Sequence, residues 1–348
     1  MEYSKSRHQR IIVMAVVFLA LLGIVIVAMD WGQVQQVLGQ ADWRLLAIAL
    51  LFTAVSYGCL GYGFAVVSKL FGIRMSQRDL FEIGFVSFAL NHLVAFGGTA
   101  GYSLRALLIK RRRQSIRDVL VASIFHSTFN NLMLLTLFPI GLVYLFLSYP
   151  LARGAAISVA TAVALLFLLV LLAAAVIFVK PLRVVVLYGL RKAAYKITRR
   201  NIEAQTKELN GTLKHGINAL KERPLVLVLL TGLVVADWAS CVAVLGLCFD
   251  ALGDPLSPVV LLIGFAIGVA LGLLSMVPGG LGVQEASMAT VYTLLGVPLE
   301  QAALAAILFR VVYYFIPFLI SLGFYWRLLQ REDKLTPELY LSSSGADS

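Results

Sequence analysis

Apolar residues occur in long uninterrupted runs, and no stretch keeps the period-two alternation of a β-strand for long. A helix needs roughly 17–25 mainly apolar residues to cross a bilayer. The runs of that length are 11–28, 44–67, 118–147, 154–179, 224–248 and 302–326. Two pairs of apolar pieces with a break between them are 80–96 with 99–109 and 258–276 with 283–296. The pattern predicts an all-α polytopic membrane protein with about six full spans and two broken or re-entrant helix pairs, eight or more apolar segments in all.

The second pair is broken at Pro278-Gly-Gly, after which a helical pattern restarts with Glu285 in its first turn. Proline removes a backbone donor, and glycine allows unusual backbone angles. Within a membrane, such a break persists only where protein or a water-filled cavity covers it. A carboxylate at that depth is a functional candidate by default. The first pair is broken at Gly97 and Gly98, so both breaks are candidate sites.

Composition supports the membrane interpretation. The chain has 348 residues, of which 60% are hydrophobic and 14% charged, and its mean hydropathy is +0.90. Soluble domains carry about 25% charged residues. Three basic residues precede the run 11–28, but no small-x-small cleavage site follows it, so we expect an uncleaved first helix. The three cysteines lie in apolar segments and form no disulfide or metal pattern, so we expect neither a metal nor another cofactor.

The charge distribution predicts the topology. The net charge is +11, and residues 180–223 alone carry eleven Lys and Arg against three Glu. Loops rich in Lys and Arg stay in the cytoplasm, so both termini are expected there. The predicted organisation is a cytoplasmic N-terminus 1–10, a first membrane half 11–179, a basic amphipathic cytoplasmic segment 180–223, a second membrane half 224–326 and a cytoplasmic tail 327–348.

The basic segment has two open interpretations. It serves as a topology signal alone, or its stretch 186–221 lies along the membrane and contacts anionic headgroups. Nucleic-acid binding is not favoured, because no aromatic platform accompanies the charge. The polar tail after Lys334 is predicted to be disordered.

The two halves resemble each other as span, broken pair and span. Gly97-Gly98 corresponds to Gly279-Gly280, and each is followed by a small residue and later by a spanning helix. The distribution of Lys and Arg places both ends of the first pair on the cytoplasmic side and both ends of the second pair on the opposite side. That arrangement predicts an inverted repeat with binding near the midplane, as in many transporters.

Several motifs resemble the lysylphosphatidylglycerol synthase transmembrane family, the flippase-like membrane region of bacterial aminoacyl-phosphatidylglycerol synthases. In the second half they are Pro278-Gly-Gly-Leu-Gly-Val-Gln-Glu285, Gly296-Val-Pro, Ala302-Ala-Leu-Ala-Ala-Ile-Leu-Phe-Arg310, Pro317 and Gly323. In the first half they are Asn91, Gly97-Gly-Thr-Ala-Gly101 and Arg105, with Tyr102 standing where the family often has Glu. The resemblance implies a multi-pass protein of the bacterial inner (cytoplasmic) membrane, and some members move lipids between leaflets. We expect a stand-alone member without the soluble aminoacyltransferase domain, so synthase activity is not implied.

Charges are rare inside the apolar segments, and each costs at least about 2.5–3.5 kcal/mol at a helix centre. Glu285 is expected to pair with Arg310 of the next span and with Arg105 of the other broken pair. These groups form a structural ion pair that locks the halves, or the arginines hold a lipid phosphate. The candidate substrate-binding residues are Arg105, Glu285, Arg310, Gly97, Gly98, Gly101, Pro278, Gly279, Gly280, Gly282, Asn91 and His126.

Asn91 and His126 belong to a polar band in the first half, together with His92, Asn130 and Asn131. Such residues either form interhelical hydrogen bonds or contact substrate. Asp237 is an interface anchor or a partner for His126 or an arginine.

No catalytic constellation appears, so we expect no enzyme. The leading hypothesis is a transporter that moves a phospholipid or another amphipathic, anionic lipid between leaflets. The alternatives are a membrane scaffold for a lipid-modifying enzyme and an integral membrane lipid transferase. The partners expected are membrane lipids, with a homo-oligomer or a lipid-modifying enzyme left open, and no nucleic acid.

Overall fold

A computed structural model describes residues 39, 41–94, 99–110, 112, 114–132, 153–198, 203–275 and 277–344, and the regular elements in these ranges are all helical. The α-helices are α1 Trp43–Leu70, α2 Gln77–Val94, α3 Thr99–Lys110, α4 Ile116–Asn131, α5 Arg153–Phe178, α6 Lys180–Thr198, α7 Glu203–Lys221, α8 Pro224–Ala251, α9 Pro258–Leu274, α10 Val283–Leu294, α11 Leu299–Arg310 and α12 Ile316–Ser344. A 3₁₀ turn Pro278–Gly280 precedes α10, and a π-helical turn Val311–Phe315 joins α11 to α12.

Among the described residues, three helices are long and apolar enough to cross a membrane: Trp43–Leu70, Pro224–Ala251 and Leu299–Gln330. A fourth, Pro258–Leu273, is apolar but shorter. This confirms an all-helical membrane protein in the described part of the chain. The predicted first span 11–28 and residues 133–147 of the predicted span 118–147 lie outside the described residues.

Local sequence explains where several helices begin. Asp42 precedes α1 and accepts a hydrogen bond from the Arg44 backbone N–H at 2.9 Å. Ser257 precedes α9 in an extended conformation, and Pro258 occupies the first helical position. Aspartate and serine suit the position before a helix, since a side-chain oxygen accepts a hydrogen bond from a free backbone N–H. Proline suits the first helical position because it has no N–H that requires a partner. The apolar runs thus begin as helices at the predicted places.

The first broken pair, α2 and α3, forms a helical hairpin that we call the first hairpin. The Gly101 N–H donates to Asn91 Oδ1 at 2.6 Å, and Arg105 Nε donates to Ser87 Oγ at 2.6 Å. A side chain at Gly101 would lie 2.6 Å from the Ser87 carbonyl oxygen, so the close packing of these helices requires glycine.

The second broken pair, α9 and α10, forms the second hairpin. Tyr292 at the end of α10 donates its hydroxyl to the Leu261 carbonyl near the start of α9, at 2.8 Å. Along the seam, three glycines of α9 leave room for three side chains of α10. They are Gly264, Gly268 and Gly272, which face Tyr292, Met288 and Gln284. Small residues at four-residue spacing allow such close approach between membrane helices.

The turn of the second hairpin meets the end of α2 in the first hairpin. A side chain at Gly279, in that turn, would come within 2.6 Å of the Leu93 carbonyl oxygen. The φ of Gly279, 61°, is in the left-handed region, where glycine is favoured. Contact between this turn and α2 therefore depends on glycine for both backbone angle and space.

The predicted amphipathic segment 186–221 consists of two helices, α6 and α7. Glu203 of α7 pairs with Arg191 of α6 at 2.9 Å and with Lys207 at 3.0 Å. The hydrogen bond from Lys207, and then the charges of Arg191 and Lys207, lower the pKa of the Glu203 carboxyl. Leu213 and Ile217 of α7 are buried against the core. The basic segment is thus joined to the membrane part by apolar packing.

The expectation of a disordered tail after Lys334 is wrong for residues up to Ser344, because α12 continues to that residue. A helix that has already formed adds one hydrogen bond for each further residue, so extension costs much less than nucleation.

Candidate functional site

Glu285 lies in the first turn of α10, directly after the break. Gly282, with a φ of 76°, precedes the helix and donates its backbone N–H to Glu285 Oε2 at 2.8 Å. The carboxylate therefore caps the helix to which it belongs. The positive end of the helix dipole also favours an anion at this position.

Arg310, at the end of α11, pairs with the same carboxylate. Its Nε donates to Glu285 Oε1, and its Nη2 donates to the Gly279 carbonyl oxygen at 3.2 Å. The side chains of Arg310 and Glu285 are 13% and 15% exposed. The guanidinium also lies 5.0 Å from the ring centroid of Tyr314. Glu285 and Arg310 are therefore paired as expected, and Arg310 additionally holds the turn of the second hairpin.

Arg105 is in a different environment, and the expectation that it also partners Glu285 is wrong. It is fully buried, and its guanidinium lies 4.2 Å from the ring centroid of Phe64 and 4.3 Å from that of Phe88. The packing of α3 on α2 directs it to Ser87. Within the described part of the chain, its Nη1 and Nη2 have no hydrogen-bond partner. Ring faces attract a cation but do not replace the lost hydrogen bonds.

A row of rings joins the two arginines. Phe88 lies beside Arg105 and 6.5 Å from His92, whose ring is 5.3 Å from Tyr314 beside Arg310, measured between centroids. The Tyr57 hydroxyl and His92 Nδ1 are 2.9 Å apart. The arginines therefore belong to one aromatic site that spans both hairpins.

Asp237 of α8 is the fourth charged residue of this site, and its neighbours are hydroxyl groups. Ser56 Oγ donates to Asp237 Oδ1, and the Tyr313 hydroxyl lies 2.6 Å from Ser56 Oγ. Of the two interpretations left open for Asp237, the structure shows no ion pair with an arginine and no hydrogen bond to His126 among the described residues. Hydroxyl groups of α1 and of the π-helical turn occupy that position instead.

The other predicted site residues are placed as follows. Asn91 accepts from Gly101 inside the first hairpin. His126 is buried, contacts the Phe88 ring at 5.3 Å between centroids, and has an Nδ1 without a partner among the described residues. Pro278 begins the 3₁₀ turn. Gly97 and Gly98 lie outside the described residues.

Sequence reasoning missed several residues of this site. Ser87, Phe64 and Phe88 surround Arg105, and they resemble any other small or apolar residue in a membrane helix. Gln284, which donates to the Tyr314 hydroxyl at 3.0 Å, follows the break directly. A detectable signal was the glycine repeat at 264, 268 and 272, since its four-residue spacing predicts the hairpin seam.

A separate ion cluster lies beyond the aromatic row. Glu82 is 2% exposed and pairs with Arg78 Nε at 3.1 Å and Arg327 Nη1 at 3.4 Å, which joins α2 to α12. Across the described ranges, no group of three or more His, Cys, Asp or Glu could hold a metal ion.

Two relatives resemble this chain over very different lengths. A "UPF0104 membrane protein" of Methanothermobacter thermautotrophicus (strain Delta H) is 22% identical over 317 residues, 88% of this chain and 91% of the relative. A "Phosphatidylglycerol lysyltransferase" of Staphylococcus aureus (strain COL) is 33% identical over 86 residues, which are 25% of this chain but 10% of that protein.

The profile of the family described as "Lysylphosphatidylglycerol synthase TM region" matches residues 11–321. That range contains both hairpins, the aromatic row and all four charged residues of the site. The resemblance expected from the motifs is confirmed. The chain therefore belongs to the lysylphosphatidylglycerol synthase transmembrane-region family and is a membrane protein of lipid metabolism or transport.

Proposed function

We propose that this chain is a transporter that moves a phospholipid or another amphipathic, anionic lipid between membrane leaflets. The observation that carries the proposal is Arg105, a fully buried cation whose Nη1 and Nη2 lack partners in the described part of the chain. Removing such a cation from water costs several kcal/mol. A passing lipid phosphate would satisfy its free N–H groups.

Arginine suits this role because its planar fork donates two hydrogen bonds to phosphate at once. Arg310 supplies a second fork, and its Nη1 is likewise without a partner among the described residues. The aromatic row between the two arginines provides faces for the glycerol and acyl region of the lipid. The site thus combines phosphate donors with an apolar lining.

Glu285 acts as the resident anion of this site. When lipid phosphate reaches Arg310, it replaces the carboxylate as the partner of the guanidinium, so Arg310 is never left unpaired. The freed carboxylate keeps the Gly282 N–H and the helix dipole. When the lipid leaves, Glu285 returns to Arg310 and resets the site.

The hairpins give this site its position. We propose that they are re-entrant elements of an inverted repeat, with the starts of α3 and α10 directed at the lipid headgroup near the midplane. The contact of Gly279 with the end of α2 supports this arrangement. Each half has the same order of long helix, hairpin and further helix, α1 to α4 and α8 to α11.

The proposed membrane is the cytoplasmic membrane of a bacterial cell, crossed several times with both termini in the cytoplasm. The basic segment 180–223 supports the orientation. Labelling with a membrane-impermeant maleimide tests this orientation. Two variants without the native cysteines are compared: one has a single new cysteine within 180–223, and the other has a single new cysteine within 249–257. Labelling of the second alone in intact cells is expected, and labelling of the first alone contradicts the orientation.

Transfer by the purified chain in liposomes tests the function. Wild-type protein should accelerate exchange of headgroup-labelled phosphatidylglycerol between leaflets, read as loss of fluorescence to an impermeant quencher. Glu285→Gln and Arg310→Ala should abolish exchange while both proteins still insert. Full activity of both variants would contradict the proposal.

The same assay separates the alternatives. A lipid transferase would yield a modified lipid without exchange between leaflets. A scaffold would be inactive alone and would need a partner enzyme, recovered by crosslinking through the basic segment. Either result would contradict the transporter proposal. Under that proposal, the chain is not an enzyme.

A further inference from the structure

The proposed exchange at Arg310 leaves one buried acid of the site without a role. Asp237 of α8 is 5% exposed, and no Lys or Arg among the described residues pairs with it. An ionised carboxylate buried without a cation is costly, whereas a protonated carboxyl is not. The surroundings of Asp237 therefore decide which form is held.

The partners of Asp237 suit both forms. Ser56 contacts the carboxyl directly, and Tyr313 contacts Ser56 at 2.6 Å. A hydroxyl group donates to an ionised carboxylate and, after rotation, accepts from a protonated one. The Asn130 side chain also faces Asp237 across a small cavity, and an amide offers either N–H or C=O. Asp237 can thus gain or lose a proton without leaving a polar group unsatisfied.

Glu285 is different in this respect. Both of its partners are obligatory donors, the Gly282 backbone N–H and the Arg310 guanidinium. Protonation of Glu285 would remove the negative charge that the Arg310 guanidinium and the Gly282 N–H stabilise. These donors favour the anionic form of Glu285, whereas the hydroxyl and amide groups around Asp237 suit either form.

A cavity of about 10 Å³ lies beside Asp237. Its lining is mostly apolar, from α1, α4 and α8, but it includes polar groups of Asp237, Asn130 and His126. That volume is near the minimum for one water molecule, and these polar groups offer hydrogen bonds to it. His126 Nδ1 and Asn130 Oδ1 have no partner among the described residues, so both are available to such a water.

The groups around Asp237 include no second carboxyl among the described residues, and the charge of Arg105 of α3 acts on His126, which is one of these groups. Ionisable or polar groups near it are Ser56, Tyr57 and Cys59 from α1, His126 and Asn130 from α4, Cys241 from α8 and Tyr313 from the π-helical turn. Arg310 of the adjacent α11 is engaged by Glu285. Within these described elements, Asp237 has the only carboxyl group in the cluster.

We infer that Asp237 is a proton-binding site and that its protonation is coupled to lipid movement, an inference that rests on the proposed transport function. Deprotonation releases the proton to water in the cavity and fixes the Ser56 hydroxyl as a donor. The Ser56 hydroxyl is hydrogen-bonded to the Tyr313 hydroxyl. The Tyr313 ring stacks on Phe309 at 5.2 Å between centroids, and the next residue, Tyr314, lies beside Arg310. These contacts lie in the π-helical turn, a type of element frequent at functional sites.

Infrared difference spectra of the full chain in liposomes test the proton site without requiring transport. A band of a protonated carboxyl should disappear as pH rises, and Asp237→Asn should lack it. Asp250→Asn, on the same helix, should keep it. If no titrating band is lost in Asp237→Asn, the site is refuted. Should Asp237→Asn fail to fold, Tyr313→Phe must shift the titration midpoint, and an unchanged midpoint refutes the site.

Exchange of labelled phosphatidylglycerol at matched pH on both sides tests the coupling. The wild-type rate should change with pH by up to about tenfold per unit, the limit for one proton, and Asp237→Asn should remove this dependence while Asp250→Asn keeps it. A wild-type profile retained in Asp237→Asn overturns the coupling. No exchange in wild type, together with a titrating Asp237 band, refutes the proposed transport and the coupling but leaves the proton site established.

Discussion

The two hairpins share an architecture but differ in how they hold charge. The second hairpin carries Glu285, which is capped by its own helix and paired with Arg310. The first hairpin carries Arg105, which has Ser87 and two ring faces but no carboxylate. One half of the site is therefore electrostatically complete. In the other half, Arg105 has no anionic partner among the described residues, and from this difference we infer that the proposed substrate is negatively charged.

Glycine serves each hairpin for a different physical reason. Gly101 of the first hairpin is needed for space, because a side chain would meet Asn91 and the Ser87 carbonyl. Gly282 of the second hairpin has open space around it but a φ of 76°. Glycines of the two similar motifs thus serve different purposes, and the turn of the second motif holds a carboxylate.

Replacing Arg310 should have the largest effect on stability. Arg310→Met leaves Glu285 buried without its cation, and we expect a loss of about 3 kcal/mol in the free energy of unfolding. The measurement is chemical unfolding of the purified protein in detergent. Arg310→Met/Glu285→Gln, which removes both charges, should recover most of that loss. Equal stability of the single and double variants would show that the pair is not the cause.

Gly279→Ala should separate the hairpins and have the next largest effect. Alanine at φ 61° costs about 1–2 kcal/mol of strain, and its side chain would also approach the Leu93 carbonyl. Gly253→Ala is the matched control, since Gly253 has a φ of 80° in open space and would pay only the strain. Equal losses in both variants would argue against tight contact between Gly279 and the end of α2.

Gly268→Ala should open the seam of the second hairpin. Its side chain would collide with Met288, and overpacking of this kind costs about 1–3 kcal/mol. Gly232→Ala, in α8 with open space around it, should instead raise stability by about 0.5–1 kcal/mol. The two variants are compared by the same unfolding measurement. A gain in both would mean that α9 and α10 do not pack closely.

Arg105→Met should have the smallest effect on folding, in contrast to Arg310→Met. Methionine fills a similar volume and removes a buried cation without stranding a carboxylate, so stability should stay the same or increase. The midpoint of unfolding in detergent checks this. A loss comparable to that of Arg310→Met would mean that Arg105 holds the fold together.

The sequence predicted the helical fold of the described residues and the break at Pro278 well. Apolar run length placed α1, α8 and α9 close to their observed bounds, because the bilayer imposes a minimum length on helices. The pairing of Glu285 with Arg310 also followed from the sequence, since a buried carboxylate needs a cation and Arg310 lay on the next span.

The surroundings of Arg105 and Asp237 could not be predicted. Which of several hydroxyl groups or rings contacts a buried charge depends on helix rotation and crossing, and a near-uniform apolar sequence contains little information on either. Ser56 and Asp237 are 181 positions apart, so only the packing of α1 against α8 reveals their contact. The continuation of α12 past Lys334 was likewise hidden by a polar composition typical of loops.

Exchange of headgroup-labelled phosphatidylglycerol by folded Arg105→Met protein in liposomes tests the central claim most directly. The buried arginine without a carboxylate partner is the feature that assigns this chain an anionic lipid. The account predicts that Arg105→Met unfolds at the wild-type midpoint or above it and no longer accelerates exchange. Exchange at the wild-type rate in that variant would contradict the account.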